Sequence, residues 1–313
     1  MSRILAADIG GTNSRFAAFE AAPDGTLARL DGWSQPTGGF ASFRELLEAV
    51  RGSDFGRAHW GAQRAALAVA GPVRGRTCRP PNIAWDIDLD RDLAGLGLGP
   101  AALLNDFTAQ AWGCLAASGR DLETVQAGEG EPGAPLAVVG AGTGLGHCAL
   151  VPDGRGGWLA LPSEAGHAAF PFVGQEEGEY ARFLRANAGL TAPVGDQVVS
   201  GSGLALLHWF LASERLTPGE AAARMGQDSP TVRWFARFYG RACRHYVLNL
   251  MALGGLFVCG GVAGRNQVLV QHKAFLREFT DCAGFEGLLG RVPVCLNKAL
   301  DAGLLGAARA VLA

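Results

Sequence analysis

Short apolar runs broken by glycine turns alternate along this chain with stretches of helical periodicity. RILAA at 3–7 reads as a buried strand, and RFAAF at 15–19 as a second one after a turn. In FASFRELLEAVRG, 40–52, Phe43, Leu46, Leu47 and Val50 fall at helical spacing with Ser42 as the cap. AALAVAGPV, 65–73, predicts a buried strand ending in a Gly-Pro turn. AALL, 101–104, predicts another, which delivers the chain directly to Asn105 and Asp106.

The pattern then restarts. PLAVVGAGTGLGHCALV, 135–151, reads as strand, glycine turn, strand. Helical spacing follows over 175–188, 203–214 and 231–253, the last with Trp234, Phe235, Phe238, Cys243, Tyr246 and Leu250 on its apolar side. GLFVCGGVA, 255–263, predicts a strand leading into a glycine pair, RVPVCL, 291–296, a further strand, and AGLLGAARAVLA, 302–313, a closing helix. Strands mixed with helices in both halves predict an α/β protein. ILAADIGGTNSRFAAF (4–19) and LAVVGAGTGLGHCALV (136–151) share one layout, with Gly142 on Gly10 and His147 on Arg15. That echo predicts two related α/β domains facing one cleft.

Composition sharpens this picture in a few places. A chain of 313 residues, 49% hydrophobic, can bury the cores of about two domains. Its 46 glycines predict tight turns or ligand loops lined by backbone. The net charge of −2 and the lack of a basic stripe argue against nucleic acid as a partner. Lys273 and Lys298 are the only lysines and neither sits in a G-x-x-x-x-G-K-[ST] frame, which excludes a P-loop. The seven cysteines are scattered without C-x-x-C and read as buried thiols in a reducing compartment. No signal-peptide pattern opens the sequence. The uncharged stretch from Tyr246, YVLNLMALGGLFVCGGVAG, changes pattern midway and reads as helix end, turn and strand, not as a membrane span. A soluble, cytoplasmic protein with no membrane partner is therefore expected.

Three segments could carry chemistry. In LLNDFTAQAWG, 103–113, Asn105 and Asp106 can cap a helix, or Asp106 can be a carboxylate held at a strand end to take a proton. DIGGTNSRF places Gly10, Gly11, Thr12 and Asn13 between strands, either as a plain glycine hairpin or as a turn aiming N–H groups at phosphate. In GAGTGLG, Gly140, Gly142, Gly144 and Gly146 are costly in chain entropy inside an apolar setting. Leu145 breaks the dinucleotide fingerprint, and strand follows where a helix would be required, so a two-sided phosphate clamp with Thr143 is the better reading.

Asp8-Ile-Gly-Gly-Thr-Asn13, Leu104-Asn-Asp-Phe-Thr108, Gly140-Ala-Gly-Thr-Gly-Leu-Gly146, Leu161-Pro-Ser-Glu-Ala-Gly-His167 and Gly260-Gly261 occur in the order of the bacterial glucokinases. The chain resembles that family nearly end to end, in the zinc-free branch of the hexokinase and actin-like ATPase superfamily. The resemblance implies two actin-like (ribonuclease H-like) α/β domains flanking a central cleft, a smaller one from 1–104 plus 298–313 and a larger one from 105–297. It implies ATP-dependent phosphorylation of glucose at its 6-hydroxyl, the first step of glycolysis, with Asp106 as catalytic base.

Residue by residue, the resemblance assigns Asn82, Asn105, Asp106, Glu164, His167 and Asp196 to the sugar. A sugar hydroxyl both donates and accepts, which suits carboxylates, amides and imidazole. It assigns Gly10, Gly11, Thr12, Asn13, Gly140, Gly142, Thr143 and Gly144 to the phosphates, and Gly260 and Gly261 to the adenosine. Asp8 resembles the magnesium-side carboxylate, acting through water, so the implied cofactors are ATP and Mg²⁺. Asp196 stands where glutamate is usual, Ser163 and Ala165 where glycine is common, and Val262-Ala263 where Pro-Arg often follows the glycine pair. A kinase for another hexose is the alternative, and a non-catalytic sugar or ATP sensor ranks below it, because DIGGTN begins at residue 8 with no room before it for a DNA-binding helix pair. A homodimer is expected from the resemblance.

Overall fold

The structure is a computed structural model that describes residues 1–312; Ala313, expected at the end of the closing helix, lies outside the described residues. The chain divides into two compact units, one formed by Met1–Ala117 with the chain from Asp301 onward, the other by Ser118–Leu300.

The first unit holds β1 (Ser2–Ile9), β2 (Asn13–Ala21), β3 (Leu27–Pro36), β4 (Arg64–Val69), three short strands β5 (Val73–Arg74), β6 (Thr77–Cys78) and β7 (Ile87–Asp88), and β8 (Ala101–Asn105). Its main sheet runs β3-β2-β1-β4-β8, with β1 to β3 antiparallel and β4 and β8 parallel to β1. β1 is covered on both faces, which is why it reads as one apolar run and not as an alternation. Leu5, Ala7 and Ile9 pack with Phe43, Leu46, Leu47 and Val50 of the helix Phe43–Gly52, whose cap is Ser42 as the spacing predicts. Ile4 and Ala6 face the other way, onto Leu304, Ala307 and Ala308 of the closing helix Ala302–Ala310. That helix lies against Asp106–Ala116 so closely that a methyl on Gly306 would sit 1.8 Å from the Ala109 carbonyl oxygen. This contact ties the chain beyond residue 104 into the first unit.

The second unit holds β9 (Leu122–Gln126), β10 (Leu136–Ala141), β11 (Leu145–Pro152), β12 (Trp158–Ser163), β13 (Gly255–Cys259) and β14 (Val294–Asn297), in the order β12-β11-β10-β13-β14-β9. Helices Gly174–Ala188, Gly201–Ala212, Pro230–Leu250 and Lys273–Thr280 supply much of its core, in which Tyr180, Phe235, Phe238 and Phe275 pack with Val139, Leu145 and Leu296. A buried ion network runs through these helices. The Arg241 guanidinium, 1% exposed, donates to both oxygens of Glu177, to Glu278 and to the Pro171 carbonyl.

The echo seen in the sequence becomes a shared winding: a three-strand antiparallel meander, then two parallel strands on its far side, in both units. The match has one break. Residues 10–13 lie between the paired Ile9 and Ser14, whereas only residues 142–144 lie between Ala141 and Leu145, so the second turn is shorter by one residue.

β3, β9 and β12 are absent from the sequence-based reading, and each is the outermost strand of its sheet. They pair on one side only and are largely solvent-facing; β3 and β9 carry no apolar run to recognise, whereas β12 carries Trp158-Leu159-Ala160-Leu161 with both leucines exposed. The strand predicted over 65–73 stops at Val69, and Val73 starts the separate β5 after the Gly-Pro turn. The uncharged stretch from Tyr246 is a helix end at Leu250, a left-handed turn at Met251 and then β13. Among the described residues no helix is long and apolar enough to cross a membrane.

Candidate active site

β8 ends at Asn105 and the helix Asp106–Ala116 begins on the next residue. Asn105 is the cap: its Oδ1 accepts from the amides of Phe107 at 2.9 Å and Thr108 at 3.2 Å. Its Nδ2 donates to the Gly71 carbonyl at 3.0 Å and to Asp106 Oδ1 at 3.1 Å. Asp106 Oδ1 also accepts from the Phe107 amide at 3.0 Å. The carboxylate therefore has a set direction at the start of the helix. Of the two readings of the Asn-Asp pair, the cap is met by Asn105. Nearby, burial and then the negative charges of Asp106 and Asp86 push the Cys78 thiol up to about 11, so it carries no nucleophilic thiolate at neutral pH.

In the same unit, the turn after β1 is closed by Gly10, whose amide donates to the Asn13 carbonyl at 3.0 Å, and leaves Gly11, Thr12 and Asn13 exposed. Thr37 braces it from behind: its hydroxyl donates to the Gly10 carbonyl at 2.6 Å, and its amide donates to the Thr12 carbonyl at 3.0 Å. Asn82 lies against this turn, with its Cβ 3.1 Å from where a Gly11 side chain would begin. Asp8, one turn-length upstream on β1, is paired in register with Arg15 on β2 and bonded to its guanidinium. The carboxylate also lies beside Gly303 in the first turn of the closing helix.

The second unit gathers the other predicted residues. Gly142 closes the turn after β10 by donating to the Gly144 carbonyl at 2.8 Å, and Thr143 is exposed at its tip. Asp196 sits under this turn: its Oδ1 accepts from the Leu145 amide at 2.7 Å. A methyl on Gly144 would come 2.0 Å from that oxygen, so the glycine admits the carboxylate. Gly260, at φ +88, abuts the end of β10 with a methyl position 2.6 Å from the Ala141 carbonyl oxygen, and Gly261 opens the short helix Gly261–Arg265. Both conditions call for glycine. Tyr239, fully buried, links the same two strand ends: its hydroxyl accepts from the Ala141 amide at 3.0 Å and donates to the Cys259 carbonyl at 3.3 Å.

Glu164 and His167 follow β12 on a single 3-10 turn, Ala165–His167, and are both exposed. His167 Nε2 and Glu164 Oε2 stand 3.5 Å apart. The turn continues toward Asp196, because the Gly195 amide donates to the Ala168 carbonyl at 3.1 Å. Unit one thus joins Asn82 and Asp8 to the first turn and sets Asp106 at the end of β8. Unit two joins the second turn, the Glu164–His167 segment, Asp196 and the glycine pair. Thr37 and Tyr239 were not legible in the sequence; Thr37 stands in no motif, and Tyr239 would have needed the rotational phase of its helix.

The glucokinase family model matches residues 5–313. The chain belongs to the glucokinase family. It is 35% identical over 320 residues to a glucokinase of Chromobacterium violaceum, covering 97% of this chain and 88% of that protein. It is 29% identical over 339 residues to a glucokinase of Nostoc sp., covering 98% of each. Among solved structures, a glucokinase from an Antarctic psychrotroph superposes with a TM-score of 0.83 at 26% identity, over 100% of this chain and 99% of that one. The chain is accordingly a sugar-phosphorylating enzyme of the actin-like α/β fold, and the family implies ATP as its second substrate.

Proposed function

We propose that the enzyme transfers the γ-phosphoryl group of ATP to the 6-hydroxyl of glucose, with Asp106 as general base. The observation that carries this reading is the fixed carboxylate: Asp106 Oδ1 accepts from Asn105 Nδ2 and the Phe107 amide at the end of β8. Phosphoryl transfer asks the protein chiefly for positioning and charge stabilisation. As the sugar oxygen forms its bond to the γ-phosphorus, the bond from that phosphorus to the β,γ-bridging oxygen breaks. The hydroxyl proton passes to Asp106, and ADP keeps the electron pair of the broken bond.

Glu164 and His167 supply an acceptor and an imidazole for neighbouring sugar hydroxyls, and Asn82 adds an amide. Asn105 orients Asp106 through Nδ2, and it reaches the sugar only by exchanging its bond to Gly71 or to Asp106. The amides around Gly10–Asn13 and Gly142–Gly144 donate to phosphate oxygens, with Thr12 and Thr143 beside them, and Gly260-Gly261 leaves backbone room for the nucleoside. Asp8 is a lone carboxylate bonded to Arg15, which fits a Mg²⁺ ion held by the nucleotide and approached through water. Bound there, the ion would neutralise phosphate charge.

One observation favours a second reading, a kinase for another hexose. Asp196 gives Oδ1 to the Leu145 amide, which leaves a shorter reach toward a sugar than a glutamate would have. ADP release measured with ATP, Mg²⁺ and a panel of hexoses separates the two. Glucose with the highest kcat/KM supports the first reading, another hexose at the top supports the second, and hexose-independent ATP hydrolysis overturns both.

A further inference from the structure

Behind the Glu164–His167 segment lies a polar pair that the reaction does not use. His147, 3% exposed, occupies the β11 position opposite Ser163, the last register pair before β12 runs into the segment. Its ring meets Tyr246 edge-on with centroids 4.6 Å apart. On its other side the segment's backbone comes down directly: a methyl on Gly166 would lie 2.0 Å from the Leu145 carbonyl oxygen and 3.6 Å from His147 Nδ1. The Leu145 carbonyl faces the imidazole and the Ser163 hydroxyl faces the Tyr246 phenol. Neither contact closes to hydrogen-bond geometry, and His147 Nδ1 and the Tyr246 hydroxyl are left buried and unpaired. Two such groups side by side are unfavourable in an interior unless a small movement can satisfy them.

We propose that His147 and Tyr246 are positioning residues for the sugar, a buried brace that sets the height of Ser163–His167. A shift of the segment that brings the Ser163 hydroxyl to Tyr246 pairs that phenol, while Gly166 bears on the Leu145 carbonyl and so on its approach to His147 Nδ1 along β11, and the brace thereby favours one placement of Glu164 and His167. This rests on the reading of those two side chains as sugar contacts. The brace acts through the segment and touches no reacting atom, so its signature is a change in glucose KM with kcat and ATP KM nearly kept.

Tyr246→Phe removes one oxygen and His147→Phe keeps a ring of similar size, so both variants retain the packing. Expected is a rise in glucose KM of about tenfold in each, with kcat within about threefold and ATP KM within about twofold. His147→Gln, which keeps a donor and an acceptor, is expected to recover part of the loss. Amide hydrogen exchange over 163–168, measured on the same proteins without ligand, is expected to speed up in both Phe variants. Glucose KM within about twofold of the unsubstituted enzyme, with unchanged exchange over 163–168, overturns the proposal. So does an equal loss in kcat and in both KM values, which marks a merely structural role. If glucose neither protects 163–168 nor supports turnover in the unsubstituted protein, the sugar assignment itself fails. Exchange in the Phe variants then still decides whether the pair braces the segment.

Discussion

Asp196 holds the Gly142–Gly144 turn from beneath: its Oδ1 accepts from the Leu145 amide at 2.7 Å, two residues past Thr143. An acid expected from the family resemblance to contact sugar is thus joined to a loop expected to contact nucleotide. Asp196→Ala leaves a buried amide unpaired, which costs about 1–3 kcal/mol. The expected result is a lower unfolding midpoint together with a higher KM for ATP as well as for sugar. Asp196→Asn retains an acceptor and should keep the ATP KM near its original value. Steady-state kinetics on both variants checks this, and an ATP KM unmoved by the alanine contradicts it.

Asn105 does two jobs that substitution can separate. Serine caps helices about as well as asparagine, so Asn105→Ser should hold stability within about 1 kcal/mol. It lacks Nδ2, the donor that orients Asp106 Oδ1. Expected is a fall in kcat of about tenfold to a hundredfold without a matching loss of melting temperature. Thermal unfolding and kcat, measured side by side, decide it.

The Glu177–Arg241 pair is a test of folding alone. Both residues are 1% exposed, and Arg237 adds a further bond to Glu177 at 2.6 Å. Glu177→Ala leaves the buried guanidinium with Glu278 as its remaining carboxylate partner and should destabilise by up to about 3–5 kcal/mol, read from the denaturant midpoint. Replacing a buried pair by well-packed apolar residues can be neutral, so the loss reports the stranded charge more than the worth of the pair.

Burial pushes the His147 imidazole down to about 4, from 6.5 in an exposed chain. Below about 6.5 the unfolded chain binds a proton that the folded protein refuses, so stability falls as pH drops from 6.5 toward 4 and is fully present above 6.5. The contribution at stake is about 3 kcal/mol. Chemical denaturation across that window should show a shallower acid loss in His147→Phe than in the unsubstituted protein. Parallel slopes would mean that His147 is protonated in the folded state.

How much of this was legible in the sequence differs by element. β1, β10 and the helix Phe43–Gly52 are buried along a face or on both sides, and burial writes itself into composition and spacing. β3, β9 and β12 lie at sheet edges, where backbone pairing sets the structure and side chains record little of it. The site behaves in the same way. Gly144 and Gly260 are visible as glycines because the first admits the Asp196 carboxylate and the second the Ala141 backbone at a positive φ. Asp196 reveals its acidic type in the sequence, but its partner, the Leu145 amide, is 51 residues away and depends on how the segment 194–198 docks. The Thr37 and Tyr239 braces are long-range contacts of ordinary residues, with no local pattern to mark them.

The central claim is that Asp106 takes the proton of the sugar hydroxyl. Asp106→Asn keeps the size of the side chain, the acceptor toward the Phe107 amide and the helix start, and removes the basic oxygen. The most direct measurement is kcat for glucose phosphorylation in that variant, beside its glucose KM. A fall in kcat of about 10²- to 10⁴-fold with glucose KM changed less than about fivefold is the predicted result. A kcat within about threefold of the unsubstituted enzyme would contradict it.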